Sequence, residues 1–235
     1  MNIPAIAVVA LALAAVAPPV AAHGVMSAWY GGQIAETADG LRVEFAVRDG
    51  GIRAWVRDHD DRAVAASGKA TLLVDGRKTE AAFAADGPSL FAAAGVRSAD
   101  RVAAILSLTV DGKPVSVRFG QEAVAVPALQ PQAQAGKAVF DKVCAVCHGT
   151  ALRGSDQAPP LLHPMYAPGS GHGDDVVLSA IAKGAAAHMW KFGDMPKPEG
   201  VKAGQERDIL AYVRAMQDAN GLGKADAPMG HAGHH

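Results

Sequence analysis

Only two cysteines occur in the 235 residues, and both lie in one pentapeptide, Cys144-Ala145-Val146-Cys147-His148. This C-x-x-C-H spacing is the attachment pattern of c-type haem. On a helical turn, residues three apart share a side. Cys144 and Cys147 can therefore reach two vinyl groups of one porphyrin as thioethers, while His148 supplies an imidazole to iron. A redox-active dithiol is the competing chemistry, but it belongs in a βαβ context, which the flanking sequence lacks. Two thiols are too few for a multi-bridge disulfide framework, an all-cysteine zinc site or a four-cysteine iron–sulfur cluster.

A second iron ligand is expected downstream. A thioether raises the reduction potential and suits electron transfer. Met165, Met189, Met195 and Met216 are the candidates. Met216 lies on the apolar stripe of a helix and is expected in the core. Met195 precedes Pro196, which removes a backbone donor and stiffens its loop. Met195 is the preferred ligand, with Met189 next and His188 as a bis-histidine alternative. Trp190 and Tyr166 are expected to wall the pocket. His163, His172 or His188 could reach a propionate.

The elements that must position these groups follow from periodicity. From Gly31 to Phe119 the pattern is β: Leu41, Val43, Phe45 and Val47 alternate with Arg42, Glu44, Ala46 and Arg48. Asp-Gly turns recur at 49–50, 75–76 and 111–112, flanked by period-2 segments. About seven strands in an antiparallel sandwich are expected over residues 29–120. Residues 121–135, rich in Pro and Gln, read as a linker. Helical periodicity follows, with a short helix from Gly136 into Cys144, another over 174–183, and a third over 205–217 striped by Ile209, Leu210, Tyr212, Val213 and Met216.

Residues 136–222 resemble class I cytochromes c. Gly136 and Phe140 match the N-terminal helix of that family, and Ile209 and Tyr212 match the C-terminal helix that packs on it. Ala158-Pro159-Pro160-Leu161 is similar to the family's Gly-Pro-x-Leu segment, with Ala158 where glycine is usual. The resemblance implies that the Pro159 carbonyl accepts from the proximal His148, that Leu161 belongs to the cofactor site, which Trp190 is also expected to line, and that Met195-Pro196 is the distal pair. It implies an all-α C-terminal domain carrying one covalent haem c. With His148 and Met195 both bound, no position is open for substrate, so an electron carrier is expected rather than an enzyme. Residues 23–119 are similar to small exported β domains that accompany heavy-metal or copper efflux systems, on His23-Gly24, Gly31-Gly32-Gln33-Ile34 and Val56 to Asp61.

Residues 1–22 read as a secretory signal peptide. An apolar run of about 14 residues is short for a span of about 20, and Val20-Ala21-Ala22 offers small residues for cleavage. The expected location is the periplasm, with membrane contact only through this segment if it stays uncleaved. Residues 223–235 form a His- and Met-containing tail. Met229, His231, His234 and His235, or a new N-terminal His23 with His59, are candidate copper ligands. This supports an alternative in which the β domain or tail binds copper or another transition metal and the haem reduces or senses it. Partners are otherwise redox proteins. With 22 basic and 23 acidic residues, no basic stripe marks a nucleic-acid binder.

Overall fold

The computed structural model describes residues 28–223. Positions 1–27 and 224–235 lie outside the described residues, and with them the signal-peptide segment, His23, Met229, His231, His234 and His235. Among the described residues, no helix is long and apolar enough to cross a membrane.

Nine strands build two antiparallel sheets. They are β1 (Gln33–Glu36), β2 (Arg42–Arg48), β3 (Gly51–Arg57), β4 (Ala66–Val74), β5 (Arg77–Ala82), β6 (Ala84–Asp86), β7 (Ser89–Ala93), β8 (Val102–Val110) and β9 (Lys113–Gln121). One sheet runs β1-β2-β3-β7-β6 and the other β5-β4-β8-β9. The sandwich is as expected, with two strands more than the sequence suggests. The short edge strands β1 and β6 carry no alternating apolar pattern. Val43, Phe45, Val47, Ile52 and Ala54 pack against Leu72, Leu106, Leu108 and Phe119 in one core. Phe45 and Phe119 stack with centroids 4.8 Å apart.

Two hairpins are set by their turns. Val74 pairs with Arg77, and Val110 with Lys113, each across a two-residue Asp-Gly loop. Both loop residues have positive φ, 47° and 77° at Asp75-Gly76 and 48° and 74° at Asp111-Gly112. That is the primed turn whose twist matches the flanking strands.

An antiparallel sheet of alternating pattern commonly leaves one face in water. Here β2 and β3 are buried on both faces. Glu44, Arg48 and Arg57 lie on the outer face and are buried there. That face is covered by residues 29–32 and by a loop of the helical domain.

The helical domain comprises α1 (Pro131–Val143), α2 (Ala145–His148), α3 (Asp174–Lys183) and α4 (Gln205–Ala219). Helix α1 begins inside the segment expected as a linker, because Pro131 sits at the first helical position, where its missing N–H costs nothing. The rest of that segment is tied down. Asn220 Nδ2 donates to the Ala125 carbonyl and the Ala125 N–H returns a bond to Asn220 Oδ1, both at 2.9 Å. Helices α1 and α4 cross where Gly136 meets the backbone of Asp208 and Ile209. Phe140 and Tyr212 meet edge to face, 5.3 Å apart. Ile209, Tyr212, Val213 and Met216 form the buried stripe of α4, so Met216 is a core residue.

Candidate functional site

The last turn of α1 delivers Cys144, whose N–H donates to the Phe140 carbonyl at 2.8 Å. The single turn of α2 then carries Cys147 and His148. Cys144, Cys147 and His148 all line one cavity between α1, α3, α4 and the loops at 157–166 and 185–198. Its walls are mainly apolar, among them Phe140, Leu161, Val177, Ile181 and Ile209.

His148 is oriented by its surroundings. Its Nδ1 lies 2.9 Å from the Pro159 carbonyl oxygen. A carbonyl can only accept, so Nδ1 carries the proton and Nε2 keeps its lone pair. Burial pushes the imidazole pKa down, and the bond to Pro159 opposes this only partly. His148 is therefore neutral at neutral pH, the form that binds metal. Burial, assisted by Cys147, pushes the Cys144 thiol up to about 11. A redox-active dithiol needs a thiolate made accessible by a depressed pKa, so the environment of Cys144 disfavours that chemistry.

The loop behind His148 is tightly folded. The Gly154 N–H donates to the His148 carbonyl at 2.9 Å, and the amides of Leu161 and Leu162 both donate to Leu152. Gln217 of α4 is fully buried. Its Nε2 donates to the carbonyls of Leu161 at 2.8 Å and Tyr166 at 3.1 Å. Gln217 was not among the residues anticipated from sequence. Its signal was position, since it falls one turn beyond Val213 on the apolar stripe.

Met195 is held by an antiparallel bridge to Ala185. The Met195 N–H donates to the Ala185 carbonyl at 2.8 Å and the Ala185 N–H to the Met195 carbonyl at 2.9 Å. Met195, Met189 and Met165 all line the cavity. Met189 is 48 % exposed on a loop closed by the Ala187 N–H and Asp194 Oδ1, and Met195 is more sheltered. Trp190 Nε1 donates to the Tyr166 hydroxyl at 2.8 Å, and His163 meets the Trp190 ring edge-on.

His172 and His188 face each other with their Nε2 atoms 3.0 Å apart. His188 Nδ1 lies 3.0 Å from the Ala186 carbonyl and donates to it. His188 Nε2 must then accept from His172 Nε2–H. This bond joins the start of α3 to the loop carrying Met189. His59 is elsewhere: it is exposed in the turn after β3, with Asp60 Oδ1 3.4 Å away. Among the described residues, no cluster of three or more His, Cys, Asp or Glu is arranged to hold a metal ion.

The cavity fits a covalently held haem on its own chemistry. Two thiols, a neutral buried imidazole and a thioether open onto one largely apolar space. In comparison with known proteins, the family model described as "Cytochrome c" matches residues 133–217, from α1 through α4. No curated protein and no solved structure matches the chain significantly.

Proposed function

Because residues 133–217 form a cytochrome c domain, we propose that the protein is an exported one-electron carrier with one haem c bound through Cys144 and Cys147. Haem c supplies an iron that cycles between ferrous and ferric. His148 and Met195 would hold the iron in this reading. The carrying observation is that these four side chains open on one cavity, with His148 steered by Pro159 and Met195 by the bridge to Ala185.

The chain's own residues do three things here. The Pro159 carbonyl holds the imidazole proton on Nδ1, which orients the ring and raises its basicity as a ligand. The Ala185–Met195 bridge and Pro196 restrain the loop so that the thioether stays available in both oxidation states. The apolar walls exclude water, which favours the less charged state of the site and lessens reorganisation on electron transfer. With His148 and Met195 both holding the iron, no position would be left for a substrate, and the protein would pass electrons between redox proteins.

Four measurements test this. A pyridine haemochrome assay should give one haem per chain. The intact mass should begin at His23, and fractionation should find the holoprotein in the periplasm. Met195→Ala should abolish the long-wavelength sulfur-to-iron charge-transfer band of the ferric protein and lower its potential. Survival of the band would move the ligand to Met189.

A further inference from the structure

Resting on that reading of the haem site, we propose that residues 29–32 form a positioning strap, through which the β-sandwich holds Met195 on the iron. The strap is anchored on Glu44 of β2, which is fully buried on the outer face of the sheet. Glu44 Oε2 accepts the N–H of Trp29 at 2.8 Å, and Oε1 accepts those of Tyr30 at 2.8 Å and Gly32 at 2.9 Å. Hydrogen bonds to a charged acceptor are stronger than neutral ones, and three of them fix a segment with no regular structure of its own. Arg57 lies 3.7 Å from the same carboxylate and covers the Trp29 ring at 4.2 Å. Arg48 Nη2 donates to the Tyr30 carbonyl at 2.8 Å.

So anchored, the strap touches both loops that bracket the cavity. On the methionine side, the Trp29 carbonyl accepts the Lys191 N–H at 2.9 Å. The Tyr30 ring, stacked on Trp55 at 4.5 Å, meets the Phe192 ring edge-on at 5.8 Å. Phe192 itself lines the cavity. On the histidine side, Gly31, with φ 70°, lies against the ring of Pro160, leaving no room for a Cβ. Pro160 follows the carbonyl that orients His148.

A thioether leaves iron when its loop moves away, so whatever restrains the loop resists displacement. Residues supporting a metal's ligands tune its affinity without touching it. Lys191 and Phe192 sit between Met189 and Met195 in the chain, and the strap holds both, Lys191 through its N–H and Phe192 through its ring. The β domain is in this account a working part of the haem site.

The test uses full-length holoprotein. The reading is the pH at which the long-wavelength band is lost on alkalinisation, together with amide exchange at Lys191. Glu44→Gln weakens the anchor, and Tyr30→Leu removes the aromatic contact while leaving the buried carboxylate alone. Each should lower the midpoint by about one pH unit, a tenfold easier displacement, and quicken exchange at Lys191. Tyr30→Phe keeps the ring and should restore the wild-type midpoint. Should Glu44→Gln fail to fold, Tyr30→Leu decides. Midpoints and exchange equal to wild type in the folded variants overturn the strap. A wild-type protein lacking the band counts against Met195 ligation, and the strap is then judged on Lys191 exchange, where no acceleration overturns it.

Discussion

The Asp156 carboxylate lies 2.7 Å from Arg53 Nε, joining the loop before Pro159 to the outer face of the sandwich. Arg48 Nε is 3.6 Å from the same carboxylate, and the Arg48 guanidinium also reaches the Arg153 carbonyl. Burial lowers the pKa of Arg48 and Asp156 opposes it, so the acid compensates a charge that the interface has taken out of water.

Replacing Asp156 by Asn should therefore destabilise the protein. Loss of the negative charge facing a buried guanidinium costs roughly 1–3 kcal/mol, and half-exposure of Asp156 places the value at about 1 kcal/mol. Denaturant unfolding gives the number. Repeating it at high salt should shrink the difference between wild type and variant, because the exposed side of the pair is screened. An unchanged midpoint at low salt would remove the ion pair from the interface's support.

Gly136→Ala tests the crossing of α1 and α4. Alanine would gain up to about 1 kcal/mol of helix propensity. A Cβ at this position, however, falls inside the carbonyl group of Asp208. That obstacle is backbone and cannot rotate away, so the helices must separate. Overpacking of this kind costs typically 1–3 kcal/mol, and the steric cost wins. Thermal unfolding of the holoprotein should occur at lower temperature than in wild type; equal or higher stability would show that the crossing relaxes freely.

What sequence made legible was local. The Asp-Gly dipeptides marked two hairpins because only certain residues tolerate positive φ. The C-x-x-C-H segment marked its own chemistry, and residues 174–183 form a helix over the bounds that the periodicity suggested. Glu44, Arg48 and Arg57 were different. A period-2 strand with charges at alternate positions looks the same whether that face meets water or another domain. Only the tertiary structure shows these charges buried against residues 29–32 and 153–160. Pro131 was misleading for a related reason: proline ends a helix from within yet starts one at its first position. The sequence favours Met195 through Pro196; in the structure Met165, Met189 and Met195 all line the cavity, and the bridge that steadies Met195 pairs it with Ala185, ten residues away.

His163 gives the protein a pH dependence of known sign. Its Nδ1 accepts the Met165 N–H at 3.2 Å, which requires the lone pair of the neutral ring. Burial lowers its pKa in the folded state. The unfolded chain therefore binds a proton that the folded protein resists. Stability should be full above the unfolded value of about 6.5 and fall as pH drops below it. His172 shifts in the same direction, through burial first and His188 second, and so does His148 through burial, so His163 carries only part of the effect. His163→Asn keeps an acceptor without the titration. Urea unfolding between about pH 7.5 and 5.5 should show a shallower loss of stability in the variant than in wild type. Parallel curves would assign the pH dependence elsewhere.

The thiols allow the most direct check on the cofactor. If Cys144 and Cys147 are both thioethers, holoprotein unfolded in guanidinium should present no thiol to iodoacetamide, and its intact mass should be that of chain plus haem. Chain made without haem should present both thiols. With Cys144 held at about 11 by burial, the thiolate that reacts with iodoacetamide is scarce at pH 8. Alkylation of Cys144 in folded, unloaded chain should thus rise about tenfold per pH unit from pH 8 towards its pKa, and jump to the rate of an ordinary thiol on unfolding. Cys147→Ser isolates this rate. Fast alkylation of folded Cys147→Ser at pH 8 would show that Cys144 is not buried as described, and would revive the dithiol chemistry that its environment otherwise disfavours.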